Sequence, residues 1–191
     1  MTKIQLELVV SQEQKIIVKN IIEQHHSYVA SNASVGRRID WLIYELNNPY
    51  PIGMIGIGSS VYPPPKDILT FVNMSKNEYK DNFNTFSNNW RFCMIKHIKN
   101  AGTQILKELR RLAPIEWKKK YDDDLKYILT FVAGGNNGAV YKADNWTLIG
   151  ETSGLPSHKS SSMKWNSKEE LKGLFVKPTG ENKKLIFIKK I

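Results

Sequence analysis

The residues best suited to chemistry in this sequence are an arginine in a strand-like run and a histidine and tyrosine in a polar segment. Arg91 lies between Trp90 and Phe92, so on a regular strand it points away from both rings. If the rings pack in the core, Arg91 faces a cleft or a covering helix, where a charge needs a partner. His26 and Tyr28 follow a predicted helix, and an imidazole there can exchange protons near neutral pH. The alternative is a helix-terminal histidine and a packed tyrosine.

Metal and disulfide chemistry are not expected. The chain has one cysteine, Cys93, which cannot form an internal disulfide and is too few for a cysteine-based zinc module. Its apolar surroundings indicate a core residue rather than a nucleophile. The 4 histidines are too scattered to define a metal site.

The charge of the chain favours an anionic partner. Its 191 residues include 28 Lys and Arg against 18 Asp and Glu, a net charge of +10. Nucleic acid is the commonest polyanion that such a protein meets, and a merely solubilising surface is the alternative. The candidate phosphate-binding and base-stacking residues are Arg37, Arg38, Lys159, Lys164 and Trp165. Solvated loops with one anchoring tryptophan would also account for them.

Several local patterns predict the elements that position these residues. Ser11 and Gln14 have the spacing of a capping box and predict a helix over roughly 11–24. Two β-rich runs flank the prolines near residue 50 and predict a hairpin. The three prolines within 61–65 exclude helix and inner strand there.

The second half of the chain alternates strands and helices. Asn89–His97 predicts a strand, and a helix over Asn100–Ala113 should follow it and end at Pro114, where a second helical piece begins. A strand ending at Ala133, a short helix and further strands complete the pattern. The result is an α/β (α+β) single domain whose mixed sheet is flanked by helices, in the order of N-acetyltransferase-like (GNAT) folds.

We expect a core domain over residues 1–154 and a basic C-terminal segment over 155–191, with one or two strands packed on the same domain. No apolar run is long enough for a membrane helix, and the N-terminus lacks the features of a signal peptide. The expected location is therefore the cytoplasm.

One segment resembles known families. GAVYKADNWTLIGETSG, residues 138–154, is similar to the G-T-x-Y-x-A-x-N-W-x-x-x-G-x-T signature of Mom-like phage DNA-modification proteins, and equally to a domain of the Druantia anti-phage system. The matching residues are Gly138, Tyr141, Ala143, Asn145, Trp146, Gly150 and Thr152. Outside this segment, Arg91, His26 and Tyr28 are similar to further positions of the family pattern, but these matches are weaker. The resemblance covers about residues 22–154.

The resemblance implies a GNAT-like enzyme that transfers an acyl or carbamoylmethyl-type group to the exocyclic amine of a DNA base, which must first leave the stack. It implies catalytic roles for the residues His26, Tyr28, Arg91 and Asn145. Tyr141 and Trp146 would contact bases, although packing in the core is the alternative. Ala133 and Asn137 depart from the Mom-like pattern, which has Asp and often His in those places, so the expected proton acceptor is missing.

The implied donor is acetyl-CoA or a related acyl donor. Its pyrophosphate would bind at the N-terminus of the helix after Arg91's strand, where the expected contacts are Lys96, Lys99, Asn100 and Gly102. The glycine-rich loop of ordinary GNAT enzymes is reduced here to one glycine. A nucleic-acid-binding defence or counter-defence module without transferase chemistry is therefore the main alternative. A GNAT-like enzyme acting on a protein or small molecule is a third, which the basic charge disfavours.

Overall fold

The computed structural model describes residues 3–25, 36–133, 136–152 and 183–191. Seven strands form one sheet in the order β1-β2-β3-β4-β5-β7-β6. They are β1 (Ile4–Leu8), β2 (Arg38–Glu45), β3 (Gly53–Ser59), β4 (Phe86–Met94), β5 (Tyr127–Val132), β6 (Thr147–Glu151) and β7 (Leu185–Lys190). The helices are α1 (Gln12–His25), α2 (Lys66–Val72), α3 (Lys76–Asp81), α4 (Ala101–Tyr121) and α5 (Ala139–Ala143). None of these helices is long and apolar enough to cross a membrane.

The sheet is mixed, as predicted. Strands β1 to β4 are antiparallel neighbours, β4 and β5 run parallel, and β5, β7 and β6 are again antiparallel. The parallel pair requires a crossover, which the long helix α4 supplies between β4 and β5. The predicted α/β single domain with a helix-flanked mixed sheet is confirmed.

Both faces of the sheet are buried. On one face α4 packs through Ile105 and Trp117 against alternate residues of β2 such as Trp41. On the other face Leu42 packs under α1, and a separate cluster around Ile68 lies under α2 and α3. Burial on two sides explains why the inner strands β2 and β3 read as nearly continuous apolar runs.

Helix α1 begins at the predicted capping box. The Gln14 N–H donates to Ser11 Oγ at 3.1 Å, and Gln14 Oε1 accepts from the N–H groups of Ser11 and Val10 at 3.0 and 2.8 Å. These bonds satisfy donors at the start of the helix that have no intrahelical acceptor. The predicted helix over 11–24 is confirmed.

The prediction that Pro114 ends the long helix is wrong, because α4 continues through it to Tyr121. An internal proline costs about 3 kcal/mol of helix stability. Here the completely buried Leu109 and Trp117 anchor the turns before and after it, and the Trp117 indole donates to the Asn84 carbonyl at 2.9 Å. Tertiary packing therefore outweighs the local propensity.

The described part of the C-terminal segment includes an inner strand. β7 pairs with β5 on one side and with β6 on the other. Its Ile186, Phe187 and Ile188 are completely buried. Removing residues 155–191 would therefore remove part of the sheet. A truncation that tests whether the basic charge of this segment binds nucleic acid must keep β7.

Candidate functional site

A cleft opens where β4 and β5 part. The two strands pair only over Phe86–Asn88, opposite Tyr127–Leu129. Beyond these residues, among the described strands, β4 pairs with β3 alone and β5 with β7 alone. The cleft has a volume of about 400 Å³ and the start of α5 forms one wall. The polar side chains that line it include His25, Asn89, Arg91, Cys93, Thr130, Asn136, Asn137 and Tyr141.

A β-bulge lies at the point of divergence. Gly56 of β3 is opposite Arg91, whereas the next residue, Ile57, is opposite Asn89, so Trp90 is the extra residue. A bulge bends its strand and increases the local twist. It therefore turns the second half of β4 away from β5 and holds the cleft open.

The bulge also changes which way the side chains point. Trp90 and Cys93 pack in the cluster under α1, whereas Phe92 packs against the core under α4. The prediction that Arg91 points away from both Trp90 and Phe92 is wrong, because the two rings lie on opposite faces of the sheet.

Asn89 ties the bulge to α5. This buried amide donates from Nδ2 to the carbonyls of Gly56 and Arg91 at 2.8 and 2.9 Å. Its Oδ1 accepts from the Tyr141 hydroxyl at 2.8 Å. Asn89 thus uses both amide protons and its carbonyl, and it fixes the bulge relative to Tyr141. Sequence reasoning gave this residue no role.

Arg91 and Tyr141 line the same cleft. The Arg91 guanidinium lies 4.8 Å from the centre of the Trp90 ring, and its Nη1 donates to the Trp90 carbonyl at 2.7 Å. His25, the last residue of α1, also lines the cleft. The predicted site residues His26 and Tyr28 lie outside the described residues.

Cys93 lines the cleft but is not poised as a nucleophile. Its Sγ donates to the Ile21 carbonyl at 3.7 Å. Burial raises the pKa of the thiol to about 11, against a smaller lowering by the nearby Arg91 charge. At neutral pH the group is a protonated core residue, as its apolar strand indicated.

The Tyr141–Trp146 string belongs largely to the core. Tyr141 is 7% exposed, and its ring packs against the rings of Trp146 and Phe187. Only its hydroxyl is directed to polar partners, Asn89 and Thr130. Trp146 is 4% exposed, so the prediction that its ring stacks on a nucleic-acid base is wrong. The ring of Tyr141 is likewise covered.

Asp144, inside the same string, is the polar anchor that sequence reasoning missed. It is buried and accepts two hydrogen bonds from Arg110, at 3.0 and 2.6 Å, and one from Trp146 Nε1 at 2.9 Å. A bidentate arginine–carboxylate pair is strong and directional. It fastens the end of α5 to α4 and so sets one wall of the cleft.

Asn145 does not line the cleft, which contradicts its predicted catalytic role. It is exposed after α5 with a φ of 57°, a left-handed conformation that asparagine adopts more readily than most residues. Its carbonyl accepts from Lys189 Nζ at 2.8 Å. A turn role accounts for asparagine at this position.

The predicted donor-binding residues surround the N-terminus of α4. A groove of about 760 Å³ is lined there by Lys96, Asn100 and Gly102, and by Val140 of α5. Lys99 is exposed in the same loop but does not line the groove. Asn100 precedes the helix without a side-chain cap. The Ala101 N–H donates to the Ile98 carbonyl at 3.2 Å, and the next N–H groups of the first turn have no capping side chain.

Two of these residues also have structural partners. Lys96 forms an ion pair with Glu45. A Cβ on Gly102 would lie 2.4 Å from Val140 Cγ2, so the α4–α5 contact accounts for glycine there. What remains for an anionic ligand is the uncapped helix end with Lys99 beside it.

The two adjacent arginines predicted as phosphate clamps both have carboxylate partners. Arg37 packs on the Tyr121 ring at 4.6 Å and pairs with Asp123 at 2.5 Å. Arg38 donates from Nε to the buried Asp40 at 2.6 Å and lies 4.0 Å from the Trp90 ring centre. The other predicted contacts, Lys159, Lys164 and Trp165, lie outside the described residues.

Within the described ranges no cluster of His, Cys, Asp and Glu could hold a metal ion.

Solved structures share this architecture. The IAA acetyltransferase from Bacillus cereus ATCC 14579 matches with a TM-score of 0.54 and 12% identity over 99% of this chain and 100% of that one. Arabidopsis thaliana NAA60 in complex with acetyl-CoA gives 0.55 and 12% over 99% of each chain. Aminoglycoside acetyltransferase AAC(6')-Ib in complex with coenzyme A gives 0.54 and 8% over 98% of this chain and 95% of that one. At these identities the likeness shows the fold, which is that of the GNAT acetyltransferases.

Sequence comparison then identifies the family. The family model described as Druantia protein DruA matches residues 1–164, most of the chain, and the chain therefore belongs to that family. No curated protein sequence matches it. The resemblance to the Druantia domain is confirmed, whereas no finding shows membership of the Mom-like proteins.

Proposed function

We propose that this DruA family member is an anti-phage transferase that moves an acyl or carbamoylmethyl-type group onto the exocyclic amine of a DNA base. The observation that carries the proposal is the cleft between β4 and β5. It places a guanidinium, a phenol and an imidazole, from Arg91, Tyr141 and His25, around one space. One end of that space lies near the uncapped helix α4, since Asn136, Ala139 and Val140 line both the cleft and the α4 groove.

An acyl-CoA-type donor fits the residues at the start of α4. The uncapped first turn offers backbone donors to a pyrophosphate, and Lys99 adds positive charge, whereas Lys96 is paired with Glu45. The fold neighbours solved with acetyl-CoA or coenzyme A agree with this choice. A bound donor of this class would supply a thioester carbonyl that is reactive towards amines and so transfers an acyl group. A carbamoylmethyl group is attached through its CH2 carbon and would need a donor that activates that carbon instead.

The cleft residues then have distinct tasks. Arg91 is a fixed positive charge for a carbonyl or phosphate oxygen. The Tyr141 hydroxyl donates its proton to Asn89 and so positions the bulge beside Arg91. The departing thiolate therefore receives the proton that histidine takes from the amine. Histidine is the proton acceptor for the attacking amine. His25 lies at the cleft, His26 is the next residue, and Tyr28 is three positions after His25.

DNA is the acceptor favoured by the net charge of +10 and by the Druantia family. A base inside a duplex cannot reach a cleft of about 400 Å³, so the reactive base has to be unstacked first.

One observation favours a second candidate, a nucleic-acid-binding defence module without transferase chemistry. No Asp or Glu lines the cleft among the described residues, and Ala133 occupies the place of the Mom-like aspartate. Both candidates bind nucleic acid, but only the first also binds the donor.

Calorimetric titration with acetyl-CoA separates the two. The transferase should bind it, and Lys99→Ala should weaken binding about threefold by removing one exposed charge contact. Lys107→Ala, an exposed lysine further along α4, is the matched control and should bind like the unchanged protein. No binding at millimolar acetyl-CoA would favour the second candidate.

A further inference from the structure

We propose that a single-stranded nucleic acid reaches the cleft along a second cavity, here called the basic groove. It is lined by Leu8, Val9, Val10, Gln12, Lys15, Ile16, Lys19, Arg38, Ile39, Asp40, Glu116 and Lys120. This inference rests on the proposed function only in taking nucleic acid as the acceptor. It assigns the path of the strand to Lys15, Lys19, Arg38 and Lys120.

The basic groove lies between the start of α1 and the end of α4, and it has a volume of about 660 Å³. Lys15 and Lys19 are four residues apart and therefore lie on the same side of α1. Lys120, in the last turn of α4, lines the groove from the other helix. Cations thus come from two separate elements, as a track for successive phosphates requires.

The charge of the groove is available to a ligand. Lys15 makes no ion pair among the described residues, and Lys19 only a loose one with Glu23 at 3.8 Å. Lys120 donates to the carbonyl of Arg38 at 2.8 Å, which holds its ammonium group over the groove without neutralising it. Of the two lining carboxylates, Asp40 is paired with Arg38, so these two charges offset each other. Lys15, Lys19 and Lys120 then remain against Glu116. The excess of positive charge matches a phosphate backbone.

A single tryptophan joins the groove to the cleft. Arg38 lines the groove, Arg91 lines the cleft, and both guanidinium groups lie over the ring of Trp90, at 4.0 and 4.8 Å from its centre. The Trp90 indole is fixed by its hydrogen bond to Asp40 at 2.9 Å. The Trp90 ring and the two guanidinium groups on it therefore connect the groove with the proposed reaction site.

The apolar floor of the groove favours a single strand. Val10 is 69% exposed and Ile16 is 50% exposed, and both line the same groove as the lysines, so apolar surface is available to unstacked bases. In a duplex the bases are paired and stacked and cannot contact this apolar surface, whereas the bases of a single strand can.

The test is fluorescence anisotropy of a labelled oligo(dT) with the full chain over a range of salt concentrations. Lys15→Ala/Lys120→Ala should lower the slope of log K against log salt by about 1.4, because each phosphate contact on a single strand contributes about 0.7. The matched control is Lys76→Ala/Lys80→Ala, which removes the same charge from exposed positions on α3 outside the groove. Its slope should stay within about 0.3 of the unchanged protein.

Equal slopes for the two double variants would overturn the groove assignment. So would displacement of the oligonucleotide by poly-glutamate at equal charge concentration, which would identify an acidic peptide as the occupant. Mass spectrometry of nucleosides tests the proposed function separately. If a modified base is found but Lys15→Ala/Lys120→Ala leaves the salt slope unchanged, only the groove assignment is rejected. If the double variant lowers the slope but no modified base is found, only the transfer chemistry is rejected.

Discussion

Replacing Asn89 by alanine should destabilise the protein at the base of the cleft. The change removes the amide that donates to Gly56 and Arg91 and that accepts from Tyr141. Asn89 is 5% exposed, so its partners do not gain ready access to bulk water.

The size of the effect follows from these three bonds. A typical hydrogen bond contributes about 1 kcal/mol net, and a buried partner left without one costs about 1–3 kcal/mol. Because the three losses are not additive, we expect about 2–4 kcal/mol in total. For a domain of this size, 1 kcal/mol lowers the melting temperature by about 2–4 °C, so Asn89→Ala should melt about 5–15 °C lower.

The assay is thermal unfolding followed by circular dichroism, with Asn88→Ala as the matched control. Asn88 is the neighbouring amide on β4, and its Oδ1 is buried without a hydrogen-bond partner in the structure. Asn88→Ala should therefore remain within about 1 kcal/mol of the unchanged protein. Equal melting temperatures for the two variants would refute the role given to Asn89.

Three further changes test other parts of the site. Cys93, with a pKa of about 11, should react with iodoacetamide at pH 8 at least about a hundredfold more slowly in the folded protein than in denaturant, and equal rates would show an accessible thiol. Burial raises the pKa of Asp40 more than Arg38 lowers it, so its contribution to stability is present at low pH and is lost as pH rises through the folded pKa. In urea unfolding, the free energy of unfolding of Asp40→Asn relative to the unchanged protein should therefore be more favourable at about pH 7 than at about pH 4. A difference that does not change with pH would contradict this. Arg110→Ala leaves the buried Asp144 without its arginine and should lower the free energy of unfolding by about 2–4 kcal/mol. Arg111 is 61% exposed, so Arg111→Ala should lower it by less than about 1 kcal/mol. Similar losses for the two variants would argue against the role of Asp144 as an anchor.

The elements that the sequence predicted well depend on neighbouring residues. The Ser11–Gln14 capping box and the β2–β3 hairpin are local patterns, and they appear where expected. Strand β1 carried a signal that was overlooked, because Ile4, Leu6 and Leu8 alternate with polar residues.

The features that were missed depend on contacts far apart in the chain. The bulge at Trp90 is defined by its pairing with β3, and Asn89 bonds residues 33 and 52 positions away. Pro114 stays within α4 because of burial on the sheet, which local propensity does not contain. A single strand irregularity thus decides where the side chains of Arg91 and its neighbours point, and alternation alone gave the wrong answer.

Mass spectrometry of nucleosides from cells that express the protein tests the central proposal most directly, because the cell supplies the donor. The proposal predicts a new mass on one deoxynucleoside that carries an exocyclic amine. That mass should disappear with Arg91→Ala and fall strongly with Tyr141→Phe, while both variants remain folded. Unmodified nucleosides in cells that contain the folded protein, with or without phage infection, would contradict it.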